Sequence, residues 1–229
     1  TFSGVISGAA GSLVKNGSSV FTLSGANSFG GGVALSAGAI QAGNDAALGT
    51  GSLTFSGGRL SSDSNTARTL ANALVLSGSL GLGDATNTGA LTLSGNAVLT
   101  GDTTLTVASA AVLGGIVSGA YNLVKEGVSE LTLSGSNTYS GTTTVNGGTL
   151  TLSGGSALAN SMAVTVNAAG LLKLANSEEI ATLAGAGLVN LQGNALTLSG
   201  AADTTFSGVI SGAAGSLVKN GSSVFTLSG

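Results

Sequence analysis

The 229-residue chain has no cysteine, no histidine, no proline and no tryptophan. Each absence excludes something. Without cysteine there is no disulfide framework and no thiolate metal site. Without histidine as well, Ser-His-Asp and Cys-His nucleophilic machinery cannot be assembled, and no G-x-S-x-G motif occurs. Without proline, no residue lacks the amide that a β-ladder needs, as expected of a chain that is nearly all ladder and tight turn. Only six residues are basic, the net charge is −3, and the lysines and arginines are scattered. A surface that tracks phosphates needs them clustered, so nucleic acid is not an expected partner. Charged residues make up 7% of the chain against about 25% in ordinary soluble domains. Yet even the uncharged run from Leu131 to Leu172 is broken every few residues by Gly, Ser, Thr or Asn. No transmembrane helix and no signal-peptide pattern is therefore expected within these residues.

The abundant residues are small, β-branched or leucine, with 40 glycines and a 42% apolar fraction. Disorder needs low hydrophobicity and high charge, and collagen needs glycine at every third position, so neither fits. The apolar residues come in pairs spaced by two, such as Phe21 and Leu23, Val33 and Leu35, Leu53 and Phe55, Leu91 and Leu93, Leu131 and Leu133. That is strand spacing with one face buried. Turn signals separate the pairs: Asn16-Gly17, Gly30-Gly31-Gly32, Gly57-Gly58 and Asn146-Gly147-Gly148. Strands of about three to five residues are expected. Asn176 to Ile180 could cap a helical turn but reads better as a loop or strand edge.

Two longer regularities lie over this pattern. The tetrapeptide T-L-S-G recurs at Thr22, Thr92, Thr132, Thr151, Thr197 and Thr226, with close variants at Thr54 and Val75. Several steps fall near 20 residues or twice that, about one coil of a parallel β-helix. One such coil cannot bury enough apolar surface to stay ordered alone, whereas stacked coils bury each other's faces. A narrow, uniform bore suits Ala, Val, Leu and Ile and is expected to exclude large aromatics. About ten rungs at roughly 4.8 Å predict a rod on the order of 50 Å long. An antiparallel sandwich is the competing architecture, but its longer strands carry charged outer faces. Residues 205–229 repeat residues 1–25 without a single change, at an offset of 204. The expected organisation is one continuous β-helix over residues 1–229, with 1–204 forming a module and 205–229 opening the next copy.

The organising motif runs K-E-G-V-S-E-L-T-L-S-G-S-N-T-Y-S-G from Lys125 to Gly141. It appears as K-N-G-S-S-V-F-T-L-S-G-A-N-S-F-G-G from Lys15 and is cut short from Lys219. These segments, with residues 123–153, 180–198 and 205–229 around them, resemble the autotransporter-associated β-strand repeat, also called the passenger-associated transport repeat. The resemblance implies an all-β, right-handed parallel β-helix in the passenger of a type V-secreted bacterial surface protein. Such a passenger is carried across the outer membrane by a C-terminal β-barrel and folds outside the cell. Lack of cysteine suits that route. The family holds adhesins, self-associating proteins and plain stalks, and its repeat carries over no catalytic or binding residues.

The candidate chemistry is correspondingly thin. Nine carboxylates exist: Asp45, Asp63, Asp84, Asp102, Glu126, Glu130, Glu178, Glu179 and Asp203. They are spread along the chain, and the adjacent pair Glu178-Glu179 points to opposite faces of a strand. They are expected to be solvated turn residues rather than a glycosidase pair. Gly30-Gly31-Gly32 lacks the aspartate of a calcium-binding turn, leaving Asn44-Asp45 and Asp102 only a stray cation contact. Gly81-Leu82-Gly83 precedes no helix and is no phosphate cradle. Lys15, Lys125 and Lys219 recur at one motif position and are expected as exposed turn lysines rather than ligand-binding ones. Threonines such as Thr103, Thr104, Thr106 and Thr142 to Thr144 do not recur at one rung period, which argues against an ice-binding face. Asn16-Gly17-Ser18 reads as a turn rather than a glycan acceptor. No catalytic, cofactor-binding or metal residue is expected. The expected function is a rigid extracellular spacer or fibre module that associates with copies of itself, end to end or side by side. The alternative is an adhesin binding a host or matrix glycan or protein through a lateral face.

Overall fold

The computed structural model describes residues 1–229 as a right-handed parallel β-helix of about 11 turns, with no helix anywhere. Every registered strand pairing is parallel, and each joins residues one turn apart, most often 20 or 21 residues. The extremes are 17, for Leu171 on Leu188, and 25, for Leu80 on Leu105. Each turn crosses three faces. Face A begins with Leu13–Lys15, Val33–Leu35 and Leu53–Phe55 and ends with Ala195–Leu198 and Ser216–Lys219. Face B begins with Val20–Leu23 and Ala39–Ala42 and ends with Phe225–Leu227. Face C includes Leu91–Leu93, Ala111–Leu113 and Glu130–Leu133.

The spacing of two places alternate residues inward. In Ala97–Val107 the burial alternates through Ala97, Leu99, Thr103, Leu105 and Val107. Inward residues of successive turns stack into columns, such as Leu13, Val33, Leu53 and Leu74 on face A. The result is one continuous core of 46 buried residues running the length of the coil. A column buries each side chain between its equivalents above and below, so an inner turn is packed on both sides and a terminal turn on one.

Several expectations need correction. Four strands are far longer than five residues, the longest being Ala163–Leu174 with 12. They turn a corner without losing the ladder: Asn146-Gly147-Gly148 lies within Thr143–Leu152, where a register shift between Val145 and Gly147 bends the strand. The bore does admit aromatics, since Phe29, Phe55, Tyr139 and Phe206 are fully buried. Small residues make room for them, as where Phe206 pairs with Gly185. Threonines do align partly by turn: Thr104, Val124, Thr144 and Thr165 form one row on face B. The row beside it reads Thr106, Glu126, Asn146, so no flat T-x-T array results. Residues 178–180 form a strand, as the strand-edge reading implied.

The identical 25-residue segments occupy the same faces at the two ends. Eleven strands stack on face B from Val20–Leu23 to Phe225–Leu227, which is ten steps. The offset of 204 residues therefore corresponds to ten whole turns. The motif inside the chain behaves differently. Lys15 lies on face A and its following strand on face B, whereas Lys125 lies on face B and its following strand on face C. The motif thus encodes a corner, and the corner is used at two different places on the triangle.

Candidate functional site

The residues singled out by the repeated motif converge on corners, and there they do structural chemistry. The motif lysine was expected at the surface. Instead Lys125 is completely buried and stands in the inward column between Leu105 and Val145. Its Nζ donates to the carbonyls of Glu126, Gly127 and Gly147 at 2.8, 2.9 and 2.9 Å. The apolar stem fills the bore and the ammonium ties the corner of its own turn to the next, using all three donors of the group. Burial lowers the Lys125 pKa to about 8, with the neighbouring Glu126 carboxylate opposing the shift. Lys15 repeats the arrangement near the first turn, 7% exposed, with Nζ donating to Gly17 and Ala37. Lys219 donates to Gly221 but is exposed. The correction has a physical reason: glycine at the second position after the lysine folds the chain back, so the amine meets backbone carbonyls rather than water.

Twelve residues after each of the two complete lysines comes an asparagine that sequence reasoning left without a role. Asn137 is buried; its Oδ1 accepts from Val117 N at 2.7 Å and its Nδ2 donates to Ala157 O at 2.7 Å. Asn27 does the same, accepting from Ile6 N at 2.8 Å and donating to Ala47 O at 2.7 Å. One side-chain amide thus imitates a peptide group in the ladder where the backbone itself leaves strand geometry. Two residues on, Phe29 and Tyr139 insert into the core; the Tyr139 hydroxyl pairs with Thr143 Oγ1 at 2.7 Å. Burial raises the Tyr139 pKa well above its ordinary value. The motif glycines permit this stacking: a Cβ at Gly135 would overlap the Gly115 carbonyl, and one at Gly141 that of Tyr121.

Most of the carboxylates also tie turns together, while Asp45, Asp102 and Asp203 stay exposed, as expected of turn residues. Asp102 accepts from Asn122 N at 3.0 Å, and Asn122 in turn accepts from Thr142 N at 2.8 Å. Asp45 accepts from Thr69 N at 3.0 Å and Asp203 from Val224 N at 2.7 Å. The 20-residue spacing of Asp102, Asn122 and Thr142 was the available signal for this ladder. Asp84 accepts from Thr86 N at 2.8 Å and faces Arg59 at 2.7 Å. The Thr86 amide, helped by Asn87 and Arg59, lowers its pKa against an opposing burial effect. Asp63 pairs with Arg68 at 3.1 Å, and Glu130 lies 3.7 Å from Lys173.

Glu178 departs furthest from the expected solvated carboxylate. It is buried, and its two oxygens accept from Ala157 N at 3.2 Å and Leu158 N at 2.9 Å. Burial raises its pKa, while those two amides oppose the rise. Val117, Asn137, Ala157 and Glu178 thus form one column on face A, where side chains replace the interrupted strands. Glu179, its neighbour, points the other way and is half-buried, so the two do not make a carboxylate pair.

The structure brings no acid and base together around a cleft, and no group of three or more Asp and Glu gathers in metal-binding reach. The largest depression, about 270 Å³, is lined by Asp45, Ala46, Gly49, Thr50, Ala71 and Asn72 and offers one carboxylate, already bonded to Thr69. No helix is long and apolar enough to cross a membrane. Residues 13–42 and 123–162 match the family model described as the passenger-associated-transport-repeat. These are the two stretches that carry the buried lysine, the asparagine link and the inserted aromatic. No curated protein and no solved structure matches the chain.

Proposed function

We propose, from the match of residues 13–42 and 123–162 to the passenger-associated-transport-repeat, that the chain is the shaft of an extracellular bacterial autotransporter passenger. Its role is to supply length and stiffness rather than catalysis. The observation that carries the reading is the ten-turn phase between the identical segments. A shaft assembled from 204-residue modules stays in register only if each module holds a whole number of turns, and residues 224–227 return to the face of residues 20–23. Each module then adds about 48 Å of coil. The motif supports the same role, since its lysine, asparagine and aromatic side chains are spent on joining turns and none faces a cleft. Location at the bacterial surface and association with further copies belong to this proposal.

A second reading, adhesion through a lateral face, draws on Val98, Ile116, Tyr121 and Val128, each an exposed large apolar residue in the middle of the chain. Small-angle scattering on the 229-residue protein and on a version carrying one additional 204-residue module separates the two. A contour length growing by about 48 Å supports the shaft. An unchanged length, from a folded-back or globular second module, overturns it. Binding of an immobilised matrix glycan or protein that is lost in Tyr121→Ala favours adhesion instead.

A further inference from the structure

Face A differs from the other two in what it shows to solvent. Over six interior turns its central outward row runs Ala34, Thr54, Val75, Val98 and Ser118, each paired with the next, and then Thr138, whose amide donates to the Val117 carbonyl. The rows on either side hold only glycine, alanine, serine, threonine, Asn96 and Ile116. No residue within 32–36, 52–56, 73–77, 96–100, 116–120 or 136–140 is charged. The charges of the same turns lie elsewhere: Arg59 and Glu126 on face B, Arg68 and Glu130 on face C, and the aspartates between faces. Charged side chains are what the centre of a protein interface lacks. Every outward side chain on face A is also short, so pressing the face against another surface immobilises few rotamers.

We propose that face A is the surface through which two copies of this chain associate side by side, outer sheet against outer sheet, with Val75 and Val98 at the centre of the contact. The row is self-complementary. Its middle is apolar, with Val98 37% exposed and Ile116 beside it at 42%, and hydroxyls follow toward both ends at Thr54, Ser118 and Thr138. A two-fold axis in the plane of the face sets valine against valine and leaves the hydroxyls at the rim, as an isologous interface requires. Two sheets so placed pack about 10 Å apart with their short side chains interleaved. Six turns by five residues give a footprint of about 30 by 16 Å, or roughly 1,000 Å² for the two copies together. That reaches the lower bound for a specific interface and predicts reversible, weak pairing. The inference builds on the association with further copies in the shaft reading and assigns it a face.

The test is sedentation equilibrium of the 229-residue protein over a concentration series, with one charge placed on each face in turn. The wild-type 21.5 kDa chain should double in mass as concentration rises. Val98→Asp should lower the dimerisation constant on the order of a hundredfold, because an isologous contact loses the valine twice and gains two desolvated carboxylates. Thr54→Asp, at an exposed position nearer the rim, should lower it less. Val112→Asp makes the same change on face C, where Val112 points outward between Thr92 and Thr132, and should leave dimerisation unchanged. Circular dichroism checks that the β-helix persists. If Val98→Asp disturbs the coil, Thr54→Asp carries the comparison, since its site is already in water. A wild type that stays monomeric overturns the proposal, and so does association that Val112→Asp weakens or that both face A substitutions leave intact. A monomer whose binding to an immobilised matrix glycan or protein is lost in Val98→Asp also overturns it, by giving the face a different partner. None of these results bears on whether the coil lengthens with each added module, so the shaft reading stands or falls by its own measurement.

Discussion

Replacing Asn137 by alanine removes two hydrogen bonds at once, one to the turn above and one to the turn below. Both distances are 2.7 Å, and the side chain is 4% exposed. The Val117 amide and the Ala157 carbonyl lie next to buried side chains, so water does not readily replace the lost partners. A buried backbone group left unpaired costs about 1–3 kcal/mol, so Asn137→Ala should destabilise this part of the coil by about 2–6 kcal/mol. Asn27→Ala breaks equivalent bonds, but its upper partner is half-buried Ile6, in a segment with no strand. There the amide can turn to water, leaving about 1–3 kcal/mol for the Ala47 side. Because a solenoid need not unfold in one step, the proper assay is amide exchange resolved by residue, supported by urea unfolding. The Val117 amide should lose protection strongly in Asn137→Ala while amides on residues 33–35 keep theirs. Asn137→Asp refines the test: at neutral pH it retains the acceptor but sets a carboxylate against the Ala157 carbonyl, and protonation restores the donor, so stability should recover in acid. Equal losses in the two alanine variants, or an unchanged Val117 amide, would refute the idea that the asparagine substitutes for a peptide group.

Two further predictions concern pH. The Lys125 pKa is lowered to about 8 from 10.5, so between those values the unfolded chain binds more protons and stability should rise with pH, by at most about 3 kcal/mol; thermal unfolding of Lys125→Met should lack this rise and, at neutral pH, should be weaker because three carbonyls lose their donor. Glu178 has a raised pKa, so the stability tied to it is present below its ordinary value of 4.5 and is lost as pH climbs through the folded value, a slope that should vanish in Glu178→Gln; failure of either slope to respond to its substitution would remove the assigned group.

Much of this fold is written locally. Apolar residues spaced by two, closed by glycine turns and repeated near 20 residues, admit few architectures besides a stacked coil, because no single coil can shield its own apolar side. The absence of His and Cys already restricted the chemistry. The face on which each residue lies is not written locally. The lysine motif folds the same corner between faces A and B at Lys15 and between faces B and C at Lys125, and only summed turn lengths of 17 to 25 residues decide which. Burial of Lys125 and Glu178 was hidden for the same reason: a charged residue looks like a surface residue until the backbone groups that satisfy it arrive from 20 residues away. Composition and spacing are enough to say that the chain winds and how often. Which polar side chains stand in for backbone between turns emerges only on stacking, since a donor and its acceptor there become neighbours only when one turn is laid upon the next.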